Sequence, residues 1–310
     1  MIRFVFSGNG LSCFYRGADG SIYRRAYTDG RWSRAVCVIS EVRRHYSVFA
    51  DKNTAEVSLI CQENGGDIVL CREKEGEWQN RTLLEGKGLD PPDMLLKRFG
   101  NCLICNLPRE NEQTLMIQRQ NNGKWERSEL IDSFIPFRNG VFRLIMLENG
   151  RGLLVYRKNL HKQCLGFRVL EKNGDFGEFH TVFAAGGVIS DHSAVIYKGL
   201  LHFVIAERGR FSSRLVYTRA SEQAAEYRSN VLWEGMSIDN TAVRADENGL
   251  TVTHNSGRRI YTFVNGGEMF RGADVRQSGV KLAKAYVTGG KVNDVIVPAD
   301  KPYNIDVKGL

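Results

Sequence analysis

A large aromatic residue punctuates this chain at a nearly constant interval. Trp32, Trp78 and Trp125 stand 46 and 47 residues apart. Each closes the same phrase: an apolar strand-like run, a turn ending in Gly, one further residue, then Trp. The copies read IYRRAYTDGRW, IVLCREKEGEW and LMIQRQNNGKW. A period in the forties made of short strands predicts one four-stranded sheet per repeat. Such a sheet cannot bury both faces alone and must be covered by its neighbours. The rhythm therefore predicts an all-β fold, a β-propeller of four-stranded antiparallel blades.

Six blades are recognisable, with seven possible. Beyond Trp125 the anchor drifts to Phe179, Tyr227 and Phe270, spaced 54, 48 and 43 residues apart, but a large ring is kept each time. The ring is read as structural, since an aromatic at the start of the outer strand covers the joint between blades. Asp29-Gly30 predicts a tight hairpin between the last two strands of blade 1, and Pro91-Pro92 a rigid connection after blade 2. Residues 1–275 are thus assigned to blades 1–6. Residues 276–310 hold the strand-like runs Leu282–Thr288, Val292–Val297 and Ile305–Val307. These either close the ring or form a degenerate seventh blade. No window carries a capped, 3.6-residue apolar stripe of the kind a helix needs.

Composition narrows the function classes. The longest apolar runs, LLVY (153–156) and HFVIA (202–206), have the length of strands, well short of the roughly 18 residues of a membrane span. The opening MIRFVFSGNG reads as a strand rather than a signal peptide. Among the seven cysteines, Cys13, Cys61, Cys71, Cys102, Cys105 and Cys164 fall in apolar strand-like runs. Buried free thiols are expected, and with them a reducing, cytoplasmic location. Cys102 and Cys105 are three apart on a strand and point to opposite faces, which argues against a zinc or redox pair. There is no P-loop, GxGxxG, HExxH or EF-hand loop, and the six histidines are scattered. No cofactor and no metal is expected.

The net charge of +8, with pI near 9.1, favours an acidic partner: an acidic protein, an anionic lipid surface or, with less support, nucleic acid. The loops carry much of this charge. In a four-stranded blade the connections between the second and third strands share one face with the connections between blades. In blades 3, 4 and 5 those loops are expected to be long: LPREN (107–111), KNLHKQ (158–163) and ERGRFSSR (207–214). They bring Arg109, Lys158, His161, Lys162, Arg208, Arg210 and Arg214 to one sector, with Phe211 as an apolar anchor. Arg43, Arg44 and His45 add charge to the same face. Loops on a rigid scaffold are where function concentrates, and Arg beside an aromatic is the composition of an interface anchor.

Two resemblances follow from these phrases. IYRRAYTDGRWSRAV is similar to the repeats of the six-bladed fucose-specific fungal lectins. That resemblance implies sugar sites built from an Arg, a Glu and a stacking aromatic. Here Arg72 and Arg119 stand six residues before the Trp in blades 2 and 3, but blade 1 has Ala26. The segments after the aromatic share no fixed Glu, which argues against ring-wide sugar binding and leaves a single site open. More broadly, GDIVLCREKEGEW and RGRFSSRLVYTR resemble phrases of uncharacterised propeller-type proteins of spore-forming Firmicutes, a family that carries no activity to transfer. The sialidase Asp-box, S-x-D-x-G-x-T-W, finds only the partial match Thr28–Trp32, which disfavours a sialidase-like glycoside hydrolase. The sequence thus points to a non-enzymatic binding or scaffolding propeller that engages an acidic macromolecular partner through one face. A carbohydrate-binding, lectin-like propeller is the alternative.

Overall fold

The computed structural model describes residues 2–8, 10–50, 56–74, 76–86, 94–108, 113–122, 124–134, 142–147, 149–222, 229–265, 270–288, 293–303 and 307. Among these residues the regular structure is β, with no α-helix. The strands form six antiparallel-based sheets, divided between two compact units: Met1–Asp132 with Ala285–Gly290, and Ser133–Lys284 with Lys291–Leu310.

The first unit holds blades 1 to 3. Blade 1 runs β1 (Ile2–Ser7), β2 (Gly10–Arg16) and β3 (Ile22–Thr28). Its outer strand is broken into β4 (Arg31–Trp32) and β5 (Val36–Ile39), both paired with β3. Blade 2 runs β6 (Val42–Ala50), β7 (Val57–Glu63), β8 (Ile68–Lys74) and β9 (Glu77–Leu84). Blade 3 runs β10 (Leu96–Phe99), β11 (Cys102–Pro108), β12 (Gln113–Asn121), β13 (Lys124–Trp125) and β14 (Glu129–Phe134). The C-terminal segment Ala285–Thr288 lies parallel to Ile2–Val5, and the Arg3 guanidinium sits 4.2 Å over the Tyr286 ring.

The pattern of these strands follows from where they lie. The middle strand β7 reads VSLIC and is buried on both faces, whereas the outer β9 exposes most of its polar residues. Asp29 and Gly30 both adopt positive φ, 51° and 78°, as the expected tight hairpin requires. Trp78 and Trp125 sit at joints between blades. Trp78 meets Phe14 of the preceding blade edge-on at 6.0 Å, and Trp125 packs against the cluster of Ile60, Ile68, Leu96 and Leu103.

The second unit holds blades 4 to 6. Blade 4 runs β15 (Arg143–Met146), β16 (Gly152–Asn159), β17 (Gln163–Leu170) and β18 (His180–Ala184). Blade 5 runs β19 (Val188–Tyr197), β20 (Leu200–Arg208), β21 (Ser213–Ala220) and β22 (Asn230–Gly235). Blade 6 runs β23 (Asn240–Asp246), β24 (Gly249–Ser256), β25 (Arg259–Asn265) and β26 (Arg271–Gln277). Beyond them lie β27 (Leu282–Thr288) and β28 (Asp294–Pro298). Two clusters fill the joints: Val155, Phe167, Phe203 and Ile205 between blades 4 and 5, then Val204, Tyr217, Val243 and Val252 between blades 5 and 6. Phe270 reaches Tyr217 of the neighbouring blade at 4.9 Å.

The expected loops of blades 4 and 5 are shorter than their polar sequences imply. Lys158 still pairs with Cys164, and Arg208 with Ser213, so each connection is a tight turn. The polar side chains there lie at strand ends exposed to water, where a charged residue costs the ladder nothing. Tyr227, Pro91-Pro92 and Ile305 lie outside the described residues. Cys13, Cys61, Cys71, Cys102 and Cys164 are buried, Cys105 is half-buried and Cys37 is exposed; all are free. No helix of the described chain is long and apolar enough to cross a membrane.

Candidate functional site

Each blade of the second unit turns from its second to its third strand at one end of the sheet, and the chain enters the next blade at that same end. Hydrogen bonds tie these turns into a continuous rim. Ala185 N–H donates to the Gln163 carbonyl at 2.8 Å, and Ile189 N–H to Gln163 Oε1 at 3.1 Å. Gly187 N–H donates to Glu207 Oε1 at 2.7 Å. Ser213 pairs with Gly235, and Ser212 Oγ donates to Glu234 Oε1 at 3.2 Å. Gly257 N–H then donates to Asp239 Oδ2 at 2.7 Å.

This rim gathers most of the residues singled out in the sequence. His161, Lys162, Arg208, Arg210 and Phe211 are exposed on it. Lys158 is half-buried, with its Nζ 5.6 Å over the Phe179 ring. Arg214 is committed inward: its guanidinium pairs with the buried Glu207 at 2.6 Å. Arg109 lies outside the described residues, and Arg43, Arg44 and His45 belong to the first unit.

Three apolar tips stand on the same rim. Phe211 is 84% exposed, Met236 is 92% exposed and Leu160 is 51% exposed. Met236 lies outside the residues that charge and loop composition single out. Its signal was a large apolar side chain in a short inter-blade turn, EGMSID, where a polar residue is expected.

A second constellation lies in the first unit, at the joint of blades 1 and 2. Arg24 on β3 forms an ion pair with Glu73 on β8, and its Nε donates to Ser12 Oγ at 3.1 Å. The guanidinium stands 5.9 Å from the centre of the Trp78 ring. Glu73 and Trp78 are themselves directly paired on β8 and β9. The Arg24 and Glu73 side chains remain 16% and 28% exposed. An acid, a bidentate cation and a flat ring that water reaches can accept, donate and stack at one place. Blades 2 and 3 do not repeat the set, because the residues eight before Trp78 and Trp125 are Leu70 and Ile117, both buried.

A third cluster is closed to solvent. Lys284 Nζ donates to Asp191 Oδ2 at 2.8 Å and to the His192 carbonyl at 2.7 Å. Arg143 pairs with Asp294 and donates to the His192 carbonyl. Ser193 Oγ donates to Asp294 Oδ1 at 2.7 Å, and Thr241 N–H to Asp191 Oδ2 at 2.8 Å. Burial, then the nearby Arg143 cation, holds the Lys284 ammonium below its ordinary range, while Asp191 and Asp294 oppose the shift. Burial likewise holds His192 well below the usual imidazole range. Two cations and two anions satisfy one another here and clasp β28 to the inner strands β15, β19 and β23. Among the described residues, no group of three His, Cys, Asp or Glu side chains is placed to hold a metal ion.

No family model matches the chain, and no curated protein matches it in sequence. Solved structures do match in fold. A PL25 polysaccharide lyase, an ulvan lyase bound to -[GlcA(1-4)Rha3S]-, superposes with a TM-score of 0.55 at 10% identity, over 89% of this chain and 80% of its own. The lectin of Aleuria aurantia, described as a six-bladed β-propeller with a novel mode of fucose recognition, gives 0.50 at 10% identity over 98% and 96%. AofleA from Arthrobotrys oligospora gives 0.50 at 11% identity over 96% and 89%. Taken with the six sheets, these similarities place the chain in the β-propeller fold class.

Proposed function

We propose that this chain is a non-enzymatic binding propeller with a single carbohydrate site at the joint of blades 1 and 2. The observation that carries the reading is the meeting of Arg24, Glu73 and Trp78 at a partly open joint. A sugar's vicinal hydroxyls both donate and accept, so a carboxylate beside a guanidinium suits them. Its C–H face stacks on an indole. The likeness to a fucose-recognising lectin supports the same class of ligand. The ulvan lyase in the same fold class also handles a polysaccharide; in this chain the partly open set pairs the Glu73 carboxylate with Arg24, which suits binding of hydroxyls.

A glycan array tests the site. The wild-type chain is expected to retain a subset of glycans, and Arg24→Met or Trp78→Ala to lose them by about tenfold, a hydrogen bond to a charged group being worth about 1.5–3 kcal/mol and an aromatic contact about 0.5–1.5 kcal/mol. An array with no retained glycan, or retention unchanged in Arg24→Met, overturns the reading.

A second reading is favoured by the rim of the second unit: an acidic macromolecular partner engaged through Lys158, His161, Lys162, Arg208, Arg210 and Phe211, with Arg214 held against Glu207 behind them. Reversing the exposed Arg208 and Arg210 to Glu is expected to abolish capture of such a partner, and unchanged capture would sink it. The buried thiols support a cytoplasmic setting for either activity.

A further inference from the structure

We infer that the rim of blades 4 to 6 docks on an anionic lipid bilayer surface. This rests on the acidic-partner reading and names the partner. The three apolar tips come from three different turns: Leu160 from blade 4, Phe211 from blade 5 and Met236 from the entry to blade 6. Hydrogen bonds along the rim hold these turns in series. Each tip projects singly, separated from the next by polar or charged residues such as Ser212, Ser237 and Arg210.

A folded protein partner selects a contiguous apolar centre with a polar rim around it. Isolated tips set among cations suit a planar, deformable acceptor. Apolar side chains enter the headgroup–acyl boundary while cations stay at phosphate level. Lys162, Arg208, Arg210, Arg258 and Arg259 supply those cations, all exposed. The exposed acid Glu234 on the same rim already accepts from Ser212. The Arg210 guanidinium lies 5.0 Å over the Phe211 ring, which places the cation directly beside the side chain that inserts.

The test is sedimentation of the full chain with vesicles of phosphatidylcholine alone or doped with phosphatidylserine. Wild type is expected to bind the phosphatidylserine vesicles at least about tenfold more tightly, and more weakly as salt rises. Phe211→Ser with Met236→Ser keeps the charge and removes two tips that touch little of the protein, so the fold is retained. That variant is expected to bind about tenfold more weakly or worse. Phe211→Trp is expected to shift its emission to the blue on vesicle addition. Wild type that ignores anionic vesicles, or a double-serine variant that binds as well as wild type, overturns the inference. Capture of an acidic protein through Arg208 and Arg210 without vesicle binding also overturns it, yet leaves the acidic-partner reading standing; loss of both captures removes both. Glycan retention is unaffected by any of these rim variants if the Arg24 site is separate.

Discussion

The clasp around Asp294 offers the sharpest test of how the second unit is held together. Asp294→Asn changes one atom and preserves the shape of the side chain. It leaves Arg143 and Lys284, both buried, facing the single carboxylate of Asp191. The uncompensated charge resides where water cannot solvate it. Removing one partner of a buried ion pair costs about 3–5 kcal/mol, most of it the desolvation of the charge left behind. Lys284→Met creates the opposite imbalance, two carboxylates against Arg143, and is expected to cost a similar amount. The two changes together restore neutrality, with Arg143 facing Asp191 at 3.9 Å, so the double variant is expected to be more stable than the sum of the singles by about 1–3 kcal/mol. Urea denaturation followed by fluorescence and circular dichroism measures each value, provided the two probes report coincident transitions with similar slopes. A loss under about 1 kcal/mol in Asp294→Asn, or strict additivity in the double variant, would refute the idea that charge balance at this clasp fastens β28 to its neighbours.

Two further predictions concern the packing of the second unit. Gly166→Ala is expected to cost about 1–3 kcal/mol by overpacking, because a Cβ there runs into the His180 carbonyl and the Phe179 ring; a melting point equal to wild type contradicts it. His254 is fully buried and stacks on Tyr261 at 4.6 Å, and burial lowers its pKa to about 4. The unfolded chain therefore binds a proton that the folded chain refuses between about pH 6.5 and 4. Stability is full above that window and falls on acidification by up to about 3 kcal/mol from this residue. His254→Phe is expected to flatten that part of the profile, leaving the similar slope contributed by the buried His192. An unchanged stability–pH curve in His254→Phe contradicts the assignment.

What the sequence made legible was the part of the fold that repeats locally. The Trp phrase encodes a strand, a tight turn and a joint within eleven residues, so its recurrence located blades without long-range information. The run Leu282–Thr288 and the inner strand around Thr241–Ala245 were visible for the same reason, as apolar segments between turns. What escaped were contacts whose partners are far apart in the chain. Arg24 stands out locally, as a charge where blades 2 and 3 carry Leu70 and Ile117, but only the folded joint delivers Glu73 to it. Lys284 within LAKAYVT is likewise a visible break in an apolar strand, while Asp191 and Asp294 look like ordinary polar residues until β19 and β28 meet. The basic loops were misjudged in length because hydrogen-bonded strand ends and free loops both expose polar side chains, so composition cannot separate them. Met236 has no cation beside it in the sequence: its turn, EGMSID, carries only the acids Glu234 and Asp239. In a repeat fold, the pattern shared by all blades answers the demand for a core. A residue that departs from it in one blade is under no such demand, and its chemistry must be explained by whatever meets it there: Glu73 for Arg24, the paired aspartates for Lys284, and a surface outside the protein for Phe211 and Met236.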